Sequence, residues 1–368
     1  LISDIANPFL SALASEAREA GLRYVSNQSA GIRRVARGKS FRYRTADGKA
    51  LRETAALSRI KHLAIPPAWT EVWICPHANG HIQATGRDAR GRKQYRYHED
   101  WRAKQDENKF TRMLAFAQKL PSIRRRVRHD LRRRGMPREK VLATVVRLLE
   151  ATLIRVGNDE YARTNGSYGL TTMRNRHARV NGKHIRFSFR GKSGKNHEIT
   201  VSDPQLARIV RRCQELPGQE LFGYEDEDGH ARDVTSQDVN EYLRDIAGES
   251  FSAKDFRTWA GTVLAAIALR EFEAAAHQTE AKKNVVTAIE SVAKVLGNTP
   301  AVCRKCYVHP AILEEYLQGE TIATIQQRTE TKLRGSLARL RPEEAAVLML
   351  LRKTLGQRKK GRKPPGRA

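Results

Sequence analysis

Apolar and polar positions change rhythm twice along this chain. Residues 38 to 98 alternate over short distances, with turn signals between the runs. "SFRYRTADGKAL" carries an Asp47-Gly48 turn, and "EVWICPHANGHIQATG" carries Asn79-Gly80 between two apolar runs. Such dipeptides supply the positive φ that tight hairpins need, so two β-hairpins are expected. "LSRIKHLAIPPAW" reads as a short helix between them, stopped by Pro66-Pro67 because proline has no donor to offer a helix.

Beyond Trp101 the spacing becomes helical. "DENKFTRMLAFAQKLPSIRRRVRHDLRRR" reads as helix broken at Pro121. "REKVLATVVRLLEATLIRVG" sets Val141, Val145, Leu148, Leu149 and Leu153 at helical spacing, with Arg155 in its last turn and Gly157 near its end. Alternation returns in "HARVNGKHIRFSFRGKSGKNHEITV", which offers three strands parted by Asn181-Gly182 and "RGKSGK". After it come candidate helices at 203–214, 236–247, 257–276, 281–296, 310–318 and 342–354, and an acidic hairpin, "YEDEDGHARD", turning at Asp228-Gly229. The expected class is α+β. A small, mainly antiparallel β domain occupies 1–98. A larger, mainly α domain with a small hairpin sheet occupies 99–352, and a basic tail without packed structure occupies 353–368.

Charge adds a partner to this picture. Lys and Arg number 68 against 40 Asp and Glu, a formal net of +28. Self-repulsion at that charge disfavours a compact state unless a polyanion compensates it. Nucleic acid is the natural polyanion, because displaced counterions supply much of the affinity. A membrane surface fits less well: there is no basic amphipathic helix with an aromatic face, no apolar run long enough to span a bilayer, and no secretory signal. The four cysteines, Cys75, Cys213, Cys303 and Cys306, are too few for a disulfide scaffold and suit a reducing, cytoplasmic setting.

Several motifs exclude chemistry. Cys303 and Cys306 form one Cys-x-x-Cys, but a structural zinc needs four ligands, and Cys75 and His77 lie in the other expected domain. A redox pair would follow a strand and open a helix, which "NTPAVCRKCYVHP" does not, so packing is favoured over metal or redox work. The acidic hairpin lacks calcium-loop spacing. No carboxylate set suits a two-metal nuclease, and no phosphate-binding glycine loop for ATP is present, so neither metal nor nucleotide cofactor is expected.

Other residues point towards DNA. "GRKQYRYH", Gly91 to His98, interleaves cations and Gln94 with Tyr95 and Tyr97. Cations hold phosphates, Gln or Arg reads base edges, and aromatics pack on sugars or bases; the rival reading is a solvated basic hairpin. Arg155, Lys192 and Arg257 are each, alone, ordinary surface cations. Together with Tyr307 they form a set that deserves a common explanation.

At these residues the chain resembles the type IB DNA topoisomerases, in their compact poxvirus-like and bacterial branch. "IPPAWTEVWICPHANGHIQATGRDARGRKQYRYH" is similar to that family's N-terminal signature. "LIRVGNDEYARTNGSYGLTTMRNRH", "FRGKSGKNHE", "KDFRTWAGT" and "LGNTPAVCRKCY" resemble its catalytic segments in order. The resemblance covers Ser40 to Leu317 and implies a catalytic domain of the tyrosine recombinase and topoisomerase IB type. It implies Tyr307 as nucleophile, Arg155 and Arg257 as the catalytic arginines and Lys192 as the hairpin lysine. Asn298 stands where poxvirus enzymes have histidine; it donates a hydrogen bond but carries no charge. It implies DNA contacts at Arg87, Arg92, Lys93, Gln94, Tyr95, Tyr97, Tyr161, Thr172, Asn175 and Lys254. It further implies a monomer that clamps duplex DNA and works at the bacterial nucleoid.

The residue types suit metal-free transesterification. A phosphotyrosyl ester conserves the bond energy for religation, so no ATP site is required. Two guanidiniums match non-bridging phosphate oxygens, and an ammonium whose pKa is lowered by neighbouring arginines serves as general acid to the 5′-oxygen. Tyrosine recombinases share an Arg, Lys, Arg, Tyr kit but normally lack the N-terminal segment "IPPAW…TGRDARGRKQY". They remain the alternative, with a non-catalytic basic DNA-binding protein as a third reading.

Overall fold

The computed structural model describes residues 8–38, 40–89, 91, 93–248, 251–272, 277–319 and 339–361, with main chain only at 8–13, 106, 107, 161 and 357–361. The chain divides into two compact units, Leu1–Thr111 and Arg112–Ala368.

The first unit is built on a five-stranded antiparallel sheet in the order β2-β1-β3-β4-β5. Its strands are β1 (Ile32–Arg37), β2 (Ser40–Arg44), β3 (Thr70–Ile74), β4 (Ile82–Arg87) and β5 (Lys93–Tyr97). Helix α1 (Pro8–Glu19) precedes them, and α2 (Thr54–His62) crosses between β2 and β3. Ile32, Ile60, Val72, Ile74 and Ala84 form the core under one face. The Asn79-Gly80 hairpin forms as expected between β3 and β4. Gly80 leaves no room for a Cβ, which would lie 2.5 Å from the Cys75 sulfur.

The other expected hairpin is displaced. Asp47-Gly48 does turn the chain, with the Gly48 N–H donating to the Thr45 carbonyl at 2.9 Å. The chain beyond it pairs back only through an Arg44–Ala50 bridge. The partner of β2 is instead β1, whose "IRRVAR" hides its alternation because most of its positions are exposed.

Helix α3 (Glu99–Asp130) runs unbroken past Pro121, against the expected break. Proline removes one backbone donor, but Phe116, Ala117, Leu120, Ile123 and Val127 are all buried on either side of it. Continuous burial of that face outweighs one missing hydrogen bond.

In the second unit, α4 (Arg138–Thr152) buries Val141, Leu142, Val145, Leu148 and Leu149 and packs against α6 (Pro204–Glu215), α7 (Ser236–Ala247) and α8 (Ala253–Arg270). The expected three strands appear as an antiparallel sheet of β6 (Ala178–Asn181), β7 (His184–Arg190) and β8 (Asn196–Ser202). The acidic hairpin appears as β9 (Gly223–Glu225) and β10 (Ala231–Asp233). Helices α9 (Gln278–Leu296), α11 (Pro310–Leu317) and α12 (Pro342–Gly361) pack with α8. Two short helices are additional to expectation: α5 (Asp159–Asn165) and α10 (Pro300–Cys306).

Several boundaries differ from expectation, among them the helix expected at 257–276, found as α8 over Ala253–Arg270, and two others that bear on the site and the tail. Helix α4 stops at Thr152, because Leu153 takes a left-handed conformation (φ 56°) while its N–H still donates to the Leu149 carbonyl. Arg155 therefore lies beyond the helix, not in its last turn. At the other end, α12 continues to Gly361, so the first part of the 353–368 tail is helical; residues 362–368 lie outside the described ones.

Candidate active site

Five residues named from the sequence converge in the second unit. Arg257 is the best anchored. It sits on α8, 5 % exposed, and its guanidinium donates to the Leu153 carbonyl through Nη1 and to the Leu296 carbonyl through Nη2, the latter at 2.6 Å. These carbonyls end α4 and α9, where helix dipoles favour a cation. The guanidinium carbon lies 5.3 Å from the centre of the Tyr307 ring. Burial pushes the Arg257 pKa down from its ordinary value, and the nearby Arg155 charge adds to this, while Tyr307 opposes it.

Arg155 follows the α4 stop in an extended segment. Its Nη2 donates to Asn298 Oδ1 at 2.5 Å. Asn298 follows the glycine cap of α9: Gly297 turns with φ 62°, and the Asn298 N–H returns to the Ala293 carbonyl at 2.9 Å. That cap fixes where the amide points. Two donors here are buried and, among the described residues, without a protein partner: Arg257 Nε and Asn298 Nδ2. Buried donors are normally satisfied, so two beside a ring of cations mark a place built for an acceptor.

Tyr307 caps α10, with its N–H donating to the Cys303 carbonyl at 2.9 Å. Its main chain rests on α8. A Cβ at Gly261 would lie 2.8 Å from the Tyr307 carbonyl oxygen. The Thr262 hydroxyl is 3.1 Å from that carbonyl and accepts from the His309 N–H at 3.1 Å. Cys303 is wholly buried and Cys306 half-buried; both are free, and burial pushes the Cys303 thiol up to about 11. They pack the segment that carries the tyrosine.

Lys192 stands exposed in the turn between β7 and β8. The turn is closed by the Gly191 N–H donating to the Lys195 carbonyl at 2.7 Å, and it bends through positive φ at Ser193 and Gly194. One cleft is lined by Arg155, Tyr168, Lys192, His197 and Arg257. His197 lies within "FRGKSGKNHE", and the sequence assigns it no role. Its signal was a histidine five residues past the hairpin lysine. A second, open concavity gathers Arg125, Arg128, His129, Arg132 and Arg133, five basic side chains with no nucleophile among them.

The expected DNA contacts are spread over both units. Arg87 is exposed and pairs with Glu71 at 2.9 Å; Lys93 donates to Asn27 at 3.0 Å and lies over the Tyr95 ring. Tyr95, 41 % exposed, stacks on Tyr97 with ring centres 5.7 Å apart. Gln94 alternates to the other side of β5, where its amide donates to Asp88 at 2.9 Å. In the second unit Lys254 is exposed one turn before Arg257, and Asn175 is half-buried in a tight turn. Thr172 is 1 % exposed, its hydroxyl accepting from the Gly169 N–H at 3.0 Å, so it offers no exposed polar atom to a duplex. Arg92 and the Tyr161 side chain lie outside the described residues. Asp226, Asp228 and His230 cluster in the exposed acidic hairpin, but Asp226 already accepts from Arg232 and from two turn N–H groups.

Comparison with known proteins bears on the same residues. The family described as "Eukaryotic DNA topoisomerase I, catalytic core" matches residues 98–334, more than half of the chain. "Bacterial DNA topoisomerase IB, N-terminal domain" matches residues 40–88. The DNA topoisomerase 1B of Acanthamoeba polyphaga mimivirus is 33% identical over 293 residues, 78% of this chain and 87% of that protein. The DNA topoisomerase I of Monkeypox virus and the DNA topoisomerase 1B of Vaccinia virus (strain Copenhagen) are each 22% identical over 271 residues, covering 71% of this chain and 82% of theirs. No helix among the described residues is long and apolar enough to cross a membrane.

Proposed function

The chain belongs to the type IB DNA topoisomerases, and from that premise we propose how its own residues carry the reaction. Tyr307, its phenolic proton given up to solvent, attacks a backbone phosphorus, forming a 3′-phosphotyrosyl bond as the bond to the 5′-oxygen breaks. Lys192 gives that oxygen its proton. The free 5′-hydroxyl strand swivels about the intact one, then attacks the same phosphorus, returns its proton and releases the tyrosine. One ester replaces another at each step, so the cycle needs no external energy source.

The single observation that carries this reading is the pair of buried donors without a partner among the described residues, Arg257 Nε and Asn298 Nδ2, on two residues that neighbour Arg155, with the Arg257 guanidinium over the Tyr307 ring. A non-bridging phosphate oxygen is the acceptor they suit. Arg155, oriented by Asn298, supplies the second guanidinium. Fixed donors aimed at developing charge are worth about 3 kcal/mol each. The exposed residues Arg87, Lys93, Tyr95 and Lys254 are proposed to hold duplex DNA, with residues 1–98 acting as the DNA-binding domain of a monomeric clamp.

The test is relaxation of supercoiled plasmid in EDTA without ATP. Wild type relaxes both signs of supercoil, and peptides from its trapped DNA adduct carry the modification on Tyr307. Tyr307→Phe binds DNA but neither relaxes it nor forms an adduct. An adduct on another residue overturns the assignment.

A further inference from the structure

His197, like Tyr168, is a cleft side chain that the reaction above leaves idle, and its surroundings are built around it. It rises from β8, and its ring stacks on Phe189 of β7 with centres 5.2 Å apart and planes 17° from parallel. Two glycines make room for it. A Cβ at Gly191 would lie 2.6 Å from the ring carbon Cδ2 and 2.7 Å from Nε2. A Cβ at Gly297 would lie 2.7 Å from Cε1. Neither glycine neighbours the other in sequence, and each immediately precedes a residue of the site: Gly191 precedes Lys192, and Gly297 precedes Asn298. The ring is therefore a spacer between the turn that carries the lysine and the helix cap that carries the asparagine. Among the described residues its nitrogens make no hydrogen bond, so its grip is by shape. Burial, then the charges of Arg155, Arg257 and Lys195, push its pKa below the ordinary value. These influences favour the neutral ring, which does not repel the cations around it.

We propose that His197 is a positioning residue for strand cleavage, its ring wedged between Gly191 and Gly297 to fix where Lys192 stands relative to Asn298 and the phosphate under attack. The inference rests on Lys192 as the general acid, and its test separates the two.

Single-turnover cleavage is measured on one duplex in two forms, with an ordinary phosphodiester or a bridging 5′-phosphorothiolate at the mapped cleavage position. The thiolate leaves without a proton. His197→Ala lowers cleavage of the ordinary duplex by about 100-fold, the loss expected when a catalytic group is misplaced by about 1 Å. On the phosphorothiolate it cleaves at close to the wild-type rate. Lys192→Ala, run in parallel, shows the same rescue. A ring that merely supports the fold slows both substrates alike.

Gly191→Ala supplies a second approach, since the new methyl meets the ring and pushes the turn away; it reproduces the substrate-selective loss even if His197→Ala does not fold. In the His197→Ala background it adds nothing further, because the ring it collides with is gone. If Lys192→Ala is not rescued, the general-acid reading fails. If Lys192→Ala is rescued while His197→Ala and Gly191→Ala lose equally on both substrates, or lose nothing, the positioning role is overturned.

Discussion

Single residues in this site serve two purposes, and only one of them shows in a sequence. Arg155, Lys192, Arg257 and Tyr307 stood out because the segments that carry them resemble, in order, the catalytic segments of the type IB DNA topoisomerases; alone, each cation reads as an ordinary surface residue. Thr262 and His197 did not, because their effect arises across contacts with residues far away in sequence: the Thr262 hydroxyl meets the carbonyl of Tyr307, and the His197 ring meets Gly297. Asp130 is a similar case outside the site. It is completely buried and accepts from Arg126, Arg133, Tyr242 and His129. Burial alone would raise its pKa, but these hydrogen bonds outweigh it and hold it at about 2. A carboxylate depressed in the folded state contributes stability above its unfolded value, and that contribution is lost as pH falls towards the folded one. Asp130→Asn should therefore lower the urea midpoint at neutral pH. The gap to wild type should narrow between about pH 4 and pH 2, where the native carboxylate also becomes protonated.

Elements were legible where local chemistry agreed with tertiary structure. Asn181-Gly182 turned its hairpin because both the dipeptide, through Gly182 at φ 55°, and the flanking strands demanded it, whereas Asn79-Gly80 lies in a longer connection between β3 and β4 and Gly80 takes no positive φ. The end of α4 was misread because nothing in "LIRVG" marks leucine as a left-handed stop; the clamp on the Leu153 carbonyl comes from Arg257, on another helix. Helix α10 was missed because seven residues are too few for a periodic signal. Yet its position decides the site, since the main chain after it lies directly on α8 at Gly261. Gly261→Ala should force Tyr307 away from Arg257. Cleavage is then expected to fall by about 100-fold, with duplex affinity, followed by fluorescence anisotropy, little changed. Equal loss of affinity would show that the variant disturbs more than the nucleophile.

At the scale of the whole molecule, the net charge of +28 gave the partner class before any motif was read. What charge does not reveal is which cations are available. Arg124, for example, is held by Glu150 and Glu344, and Arg138 by Asp238. Lys93, exposed beside Tyr95, is in the other class. If it neutralises one phosphate, Lys93→Ala should weaken DNA binding and reduce the slope of log affinity against log salt by about one. An unchanged slope would remove Lys93 from the contact surface.

The attachment of Arg257 to the ends of both α4 and α9 has a consequence for timing. Those bonds are made within the protein, so the guanidinium is in place before any duplex arrives. On the proposed reading, an incoming phosphate meets a charge that needs no rearrangement to receive it.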